Sequence, residues 1–247
     1  MCESAAETAP RVTKLTKDEP DGKEFTAPSN GGHLWTFVCS RRQKPMNTQS
    51  NELGPIQIQP LSGEESFSSG ENPLGFNVQS FWRWSASDLI NNTMRGALAE
   101  FIVAQALGIA QDKAREEWAP YDLETPDGLT IEVKSSAYIQ SWGQKNLSAI
   151  SFGCKPTKAW SNETGSFEKG QPRRQAKVYV FALLAHKDQF TLDPLNLDQW
   201  LFYVLPTAEL NARGKQGTIG LGTLKKLNCS PVTFNELADR IKVTADG

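Results

Sequence analysis

The chain has 247 residues, of which 38% are hydrophobic and 22% are charged, and its formal net charge is −2 at pH 7. This length suits one large domain or two small ones, and a chain of this size buries a core without help from disulfides. The composition excludes the collagen-like, coiled-coil and disulfide-rich classes, and the small net charge argues against indiscriminate binding of nucleic acid.

Membrane insertion, secretion and histidine-based chemistry are not expected from the sequence. The longest uncharged apolar run, residues 101–110, is about half of the roughly 20 residues that span a bilayer. The first residues include Glu3 and Glu7 and no apolar block, unlike a secretory signal. Four scattered cysteines and only two histidines disfavour a zinc site or a Ser-His-Asp triad. We therefore expect a cytoplasmic protein with no membrane partner.

Residues 1–80 differ in composition from the rest of the chain. Ser, Thr, Asn, Gln, Gly and Pro occupy 39 of these 80 positions. Such a segment buries too little apolar surface to offset the entropy lost on ordering. Short regular patterns occur only at 33–39, a candidate strand, and at 56–59. We predict a disordered N-terminal extension over 1–80, with irregular structure wrapped on the domain as the alternative.

From residue 81 the hydrophobic pattern becomes regular and predicts a domain over 81–247. Ser87 and Asp88 are candidate caps of a helix over 89–107 that ends at Gly108. Further strands are predicted at 147–153, 177–185 and 199–205, and a capping box from Thr233 to Glu236 begins a C-terminal helix. These elements predict an α/β fold in which helices flank a mixed β-sheet.

A β-hairpin is predicted between the first helix and the later strands. Extended runs at 118–124 and 129–135 flank the sequence Thr125-Pro-Asp-Gly128. Proline presets the backbone φ angle and glycine tolerates positive φ, so this sequence suits a tight turn. Two strands joined this closely pair antiparallel.

The hairpin brings charged side chains together. If the turn centres on residues 126–127, Asp122 faces Glu132 or lies one step from it. Glu132 and Lys134 share a face because side chains alternate along a strand. Two neighbouring carboxylates repel each other unless a positive charge lies between them, and either Lys134 or a divalent cation such as Mg²⁺ can supply it. The alternative is a surface hairpin with an ordinary salt bridge.

Glu100 is the only charged residue between Gly96 and Ala110. A carboxylate among small apolar residues of a helix needs a partner, because an unpaired buried charge is costly. Glu100 either pairs with Arg95 or Lys113 at the helix edge or adds a third acidic group to the hairpin site.

The combination of Glu100 on a helix, Asp122, and Glu132-Val-Lys134, with nine residues between Asp122 and Glu132, resembles the PD-(D/E)xK nuclease superfamily. The string from Ile131 to Ser136 is typical of its Holliday-junction-resolvase and restriction-enzyme branches, and residues 121–142 resemble a group of its little-characterised bacterial members. The resemblance covers about residues 88–205 and implies a restriction-endonuclease-like fold.

One departure from the superfamily pattern concerns the residue before Asp122, which is Tyr121 and not proline. A literal Pro-Asp pair occurs at Pro126-Asp127, but this pair forms the turn itself. Its aspartate cannot face Glu132 across a strand pair, so we assign the ligand position to Asp122.

The resemblance implies a metal-dependent DNA endonuclease acting in restriction, phage defence or DNA repair. Asp122, Glu132 and the backbone carbonyl of Val133 would hold Mg²⁺ or Mn²⁺, and Glu100 would ligate a second ion or position the water. Lys134 would orient or activate the attacking water and stabilise the charge that develops. The alternatives are a non-catalytic nucleic-acid-binding or assembly module on the same fold, and a metabolic or structural protein whose hairpin charges are incidental.

A DNA-docking surface is predicted near this site. Residues 155–177 contain six basic and two acidic side chains, which together give this segment a local charge of +4. Such a loop is a candidate phosphate clamp, and a solvated loop with ordinary charges is the alternative. The candidate DNA-binding residues are Arg173, Arg174, Ser135, Ser136, Gln144 and Lys145. Cutting both strands would suit a homodimer with one site per subunit.

Overall fold

The structure is a computed structural model that describes residues 54–56, 58–110 and 114–247. The candidate strand at 33–39 lies outside these residues, as does most of the predicted extension. The strands are β1 (Ser66–Ser69), β2 (Asn72–Asn77), β3 (Leu123–Glu124), β4 (Thr130–Ala137), β5 (Ser151–Gly153), β6 (Trp160–Ser161), β7 (Ser166–Phe167), β8 (Val178–Leu184), β9 (Trp200–Pro206) and β10 (Thr218–Gly220). The α-helices are α1 (Val78–Ala86), α2 (Asn92–Ala106), α3 (Thr207–Ala212), α4 (Leu221–Lys226) and α5 (Phe234–Asp246).

A four-stranded mixed sheet with the order β3-β4-β8-β9 forms the centre of the fold. Strand β4 runs parallel to β8, while the β3–β4 and β8–β9 pairs are antiparallel. Every residue of β8 is buried, as expected for an uninterrupted apolar strand in the middle of a sheet. The register places Glu132 of β4 beside Tyr179 of β8.

Helices α2 and α5 cover one face of this sheet. Their small and branched side chains, such as Val103 and Ile241, pack against Ile131, Val133 and Trp200, and all five are buried. The close approach of α2 to β4 follows from the small residues that the sequence concentrates in this helix.

The opposite face is covered by short elements. The ribbon of β5 and β10, together with α3 and α4, packs on the sheet through Phe152, Phe181, Leu205, Leu210 and Ile219. The Phe152 and Phe181 rings lie 5.2 Å apart. The predicted α/β architecture, a mixed sheet flanked by helices, is confirmed.

The helix ends show where local sequence signals compete. Asn91, and not Ser87 or Asp88, caps α2, because its side-chain oxygen accepts a hydrogen bond from the Met94 N–H at 3.0 Å. The Asp88 carboxylate instead accepts from backbone N–H groups in the turn before the helix. Gly108 ends the helix as predicted, at a φ of 70°.

The C-terminal helix begins as the sequence predicts. Thr233 and Glu236 form the reciprocal capping box at the start of α5. In the described part of the chain, no helix combines the length and apolar character that crossing a bilayer requires.

Part of the predicted extension lies among the described residues and has regular structure. Strands β1 and β2 form an antiparallel hairpin around Gly70, which has a φ of 60°. The Phe67 and Phe76 rings contact each other across this hairpin, with centroids 4.9 Å apart. Helix α1 follows directly, and its cap Asn77 accepts a hydrogen bond from Ser80 N–H. The polar composition of this stretch conceals these local contacts.

Truncation of Ile241 to alanine tests whether α5 is part of the core. Because this side chain is fully buried, we expect the free energy of unfolding to fall by about 2–5 kcal/mol in urea denaturation. The matched control is Val243→Ala in the same helix, where the side chain is exposed and the change should stay within about 0.5 kcal/mol. Equal losses in the two variants would contradict the assigned face of α5.

Candidate active site

The hairpin sets the register of the site. The Gly128 N–H donates to the Thr125 carbonyl at 2.9 Å, and Gly128 has the positive φ that the turn requires. Leu123 pairs with Ile131, and the Asp122 N–H donates to the Ile131 carbonyl at 3.1 Å. The two observed pairs, Leu123 with Ile131 and Glu124 with Thr130, have the predicted register, which, if extended by one residue, would set Asp122 opposite Glu132. Strand β3 is shorter than predicted, because regular pairing stops at Leu123.

Lys134 joins the two carboxylates of the hairpin. Its Nζ lies 2.5 Å from Glu132 Oε1 and 3.5 Å from Asp122 Oδ2. These two oxygens are therefore separated by no more than the sum of the distances, 6.0 Å. The Val133 N–H donates to Asp122 Oδ2 at 2.7 Å and fixes this carboxylate at the end of β3.

Burial and charge act on the protonation of these groups in different ways. Burial, and then the negative charge of Asp122, raise the pKa of Glu132, against the smaller opposing effect of Lys134. Burial alone would lower the pKa of Lys134, but the charges of Asp122 and Glu132 outweigh it and raise that pKa. Lys134 is therefore an ammonium group at neutral pH.

Glu100 of α2 lines a cavity that Asp122 also lines. Its mostly buried carboxylate forms a bidentate pair with Arg115, with Oε2 at 2.5 Å from Nε and Oε1 at 3.0 Å from Nη2. Hydrogen bonding to Glu100 raises the pKa of Arg115. The charge of Glu100 is also the smallest of the contributions that raise the pKa values of Glu132 and Lys134.

Neither Arg95 nor Lys113, the two partners predicted for Glu100, is found paired with it among the described residues. Arg95 is buried and donates instead to the Ile90 carbonyl, Asn92 Oδ1 and Gln140 Oε1. Lys113 lies outside the described residues. Arg115 could not be found from the sequence, because it follows α2 in a segment without periodic structure.

A cavity of about 640 Å³ adjoins the hairpin. Glu100, Arg115 and Asp122 line it together with Trp118 and Trp160. The Trp118 and Trp160 rings have centroids 5.7 Å apart, so they form a continuous aromatic wall. The ring planes are inclined at 47°, so the arrangement combines charged groups with two adjoining aromatic faces, either of which could contact a nucleobase.

The donor set of the hairpin fits a hard divalent cation. In the described ranges, no three His, Cys, Asp or Glu side chains converge as a ready-made metal centre. The Lys134 ammonium, however, occupies the position between two carboxylates where a cation would lie. Mg²⁺ prefers carboxylate oxygen donors of this kind.

The Val133 carbonyl is a further oxygen donor at this edge. In a strand, the N–H and C=O groups of one residue point to the same side. Because the Val133 N–H points to Asp122, the Val133 carbonyl also faces this edge, beyond the end of β3.

The two arginines predicted to bind DNA lie in very different surroundings. Arg174 is buried, and its guanidinium donates to the Cys154 carbonyl at 2.8 Å, to Asn211 Oδ1 at 2.9 Å and to the Gln216 carbonyl at 2.9 Å. These bonds join the segment after β5, helix α3 and the loop before β10, so the placement of Arg174 supports a structural role and not contact with DNA. Arg173 is exposed, and its Nη2 lies 3.7 Å from Glu168 Oε2.

The other predicted DNA-binding residues are also separated by the structure. Ser136 shares the sheet face of Lys134, whereas Ser135 faces the opposite side because side chains alternate along β4. Gln144 accepts from the Gln140 N–H at 2.7 Å and thereby closes its own loop. Lys145 is exposed.

Comparison with known families relates the chain to a family of endonucleases. The model of the family described as bacteriophage T4 endonuclease IV matches residues 78–222, which is more than half of the chain. This range begins with α1 and includes the hairpin, the cavity and strands β8 and β9. No curated protein matches the chain.

Substitution of Arg174 by glutamine tests its structural role. The change leaves buried carbonyl oxygens without donors, so we expect roughly 2 kcal/mol or more of lost stability in urea denaturation. The exposed neighbour gives the matched control, and Arg173→Gln should change the free energy of unfolding by less than about 0.5 kcal/mol. Full stability of the Arg174 variant together with weakened DNA binding would restore it to the DNA-binding surface.

Stability of the metal-free protein should report the raised pKa of Glu132. The folded protein keeps a proton on this group above its ordinary pKa of 4.5, whereas the unfolded chain releases it. Stability therefore falls as the pH rises from 4.5 through the folded-state pKa. Glu132→Gln removes the titrating group. In EDTA, the free energy of unfolding of this variant should therefore fall less steeply with rising pH than that of the wild type. The exposed control Glu209→Gln should run parallel to the wild type, and a parallel Glu132→Gln curve would contradict the assignment.

Proposed function

Since the chain belongs to the bacteriophage T4 endonuclease IV family, we propose that it is a divalent-metal-dependent DNA endonuclease of the PD-(D/E)xK type. The observation that carries this proposal is the convergence of Asp122, Glu132 and Lys134 at the end of β3, where one ammonium lies within 3.5 Å of both carboxylates. Glu100 lines the adjoining cavity. These four residues stand at the positions of the superfamily pattern.

The residues divide the chemistry of phosphodiester hydrolysis between them. Asp122, Glu132 and the Val133 carbonyl would hold Mg²⁺ or Mn²⁺, with Glu100 as a further ligand or as the group that positions the water. A bound divalent ion makes a coordinated water more acidic and stabilises charge on the scissile phosphate. The water oxygen attacks phosphorus as the bond to the leaving oxygen breaks.

Lys134 contributes as a cation in this proposal. Because its pKa is raised, its ammonium donates hydrogen bonds and does not act as a base at neutral pH. A fixed ammonium beside the reacting phosphate stabilises the negative charge that develops in the transition state and orients the water. The Val133 N–H keeps Asp122 in place during this step.

DNA is the proposed substrate. The aromatic wall formed by Trp118 and Trp160 offers a stacking surface for a nucleobase beside the charged groups. Exposed Arg173 and Lys145 are available for contacts with the backbone. Restriction, phage defence and repair are the settings that such an activity serves, and a homodimer would supply one site for each strand of a duplex.

A cleavage assay with Mg²⁺ or Mn²⁺ on supercoiled, linear, single-stranded and four-way-junction DNA tests the proposed activity. Lys134→Ala and Asp122→Asn should each lower the cleavage rate at least about 100-fold, because each removes charge from the reacting centre. EDTA should abolish cleavage. The control Lys225→Ala changes an exposed lysine of α4 and should cleave like the wild type.

Two other results would contradict the nuclease proposal in different ways. A protein that shifts DNA in a gel without cleaving any substrate, and whose Lys134 and Asp122 variants bind equally well, would be a non-catalytic binding module. A protein that binds neither DNA nor Mg²⁺ in calorimetry would show that the hairpin charges are incidental.

A further inference from the structure

The cavity beside the hairpin has a charge balance that opposes its proposed substrate. Among the described residues that line it, six are acidic and one is basic. The acidic residues are Glu100, Glu116, Asp122, Glu124, Glu163 and Glu168. The single cation is Arg115. A phosphate that enters this cavity must therefore be met by Arg115, by Lys134 at its edge or by a bound metal.

Arg115 is positioned for such a contact but is already engaged. Its Nε and Nη2 atoms bind the two oxygens of Glu100, and its Nη1 lies 3.6 Å from Glu117 Oε1. A guanidinium presents the same planar pair of donors to a carboxylate and to a phosphate. Glu100 thus occupies the donors that a phosphate would use.

The two partners differ in their access to solvent. The Glu100 side chain is 12% exposed, whereas the Arg115 side chain is 45% exposed. Glu100 is fixed on α2, and Arg115 lies on the irregular segment that borders the cavity. Arg115 is therefore the partner that can turn towards an incoming ligand without rearrangement of the sheet or the helix.

We propose that Arg115 is a substrate-binding residue that Glu100 holds in place until a backbone phosphate of the DNA displaces this carboxylate. This proposal rests on the proposed nuclease function. A divalent cation held by Asp122 and Glu132 would compete with Arg115 for the Glu100 carboxylate, which would make Arg115 more available to the phosphate. Metal and DNA then bind cooperatively, because each favours the separated arrangement of this pair.

DNA binding in EDTA tests this exchange without any contribution from catalysis. The probe is a fluorescein-labelled oligonucleotide measured by fluorescence anisotropy. Glu100→Gln removes the carboxylate that competes for Arg115, so we expect its Kd to fall at least about threefold relative to the wild type. The matched control Glu116→Gln removes one acid from the same cavity and should give a smaller gain, from reduced repulsion alone.

The double variant identifies the group that produces this gain. The gain in DNA affinity should disappear when Glu100→Gln is combined with Arg115→Gln. It should remain when Glu100→Gln is combined with Arg83→Gln, a change at an exposed arginine of α1. The slope of log K against log salt should also decrease in magnitude by about 0.7–0.9 when Arg115 is lost, which corresponds to one phosphate contact. Both partners are neutral in the first double variant, so no buried charge is left unpaired to prevent folding.

The outcomes separate this inference from the proposed function. The inference is overturned if Glu100→Gln does not bind DNA more tightly than the wild type, or if the tighter binding persists without Arg115. In either case Arg115 only anchors Glu100. Cleavage by the wild type would still uphold the proposed nuclease function. If no variant binds DNA and the wild type does not cleave it with Mg²⁺, both proposals fall. Arg115→Lys keeps the charge but not the planar fork and should retain only part of the gain in the Glu100→Gln background.

Discussion

A single backbone hydrogen bond, from the Val133 N–H to the Asp122 carboxylate, holds the site together. Strand β3 begins only at Leu123, so the Val133 N–H of β4, which points to this side, has no backbone partner in the hairpin. The Asp122 side chain takes the place of the missing strand and accepts this bond. The Asp122 side chain thereby satisfies a main-chain donor of β4, and this bond fixes the position of its carboxylate relative to the sheet.

The late start of β3, at Leu123, also leaves one edge of β4 open beside Glu132 and Lys134. Beyond Ile131, the outer edge of β4 is not covered by a neighbouring strand of the hairpin, while its inner edge is paired with the fully buried β8. One side of β4 is therefore rigid and apolar, and the other is open. Glu132 and Lys134 lie on this boundary, partly buried, which explains why burial shifts their pKa values while solvent still reaches them.

The parts of the site that local rules determine could be predicted from the sequence. The Thr125–Gly128 turn fixes the register, and a register error of one residue would have moved Glu132 to the apolar face. The continuous apolar pattern of β8 likewise predicts its central place. Arg115 and Arg174 could not be predicted. An arginine in an irregular segment gives no periodic signal, and whether its guanidinium meets a carboxylate, loop carbonyls or solvent depends on contacts that form only in the tertiary structure.

The same acids that favour a divalent cation oppose the entry of a polyanion, so the charge balance of the site couples the two ligands. Lys134 is already paired with Glu132 and Asp122, and Arg115 with Glu100. Neither cation is free to receive a phosphate unless its carboxylate partner acquires another positive charge. A divalent ion on these carboxylates would provide that charge and would free both basic groups at once. If a divalent ion binds here as proposed, these ion pairs would hold the carboxylates in place and limit the attraction of phosphate until that ion is bound.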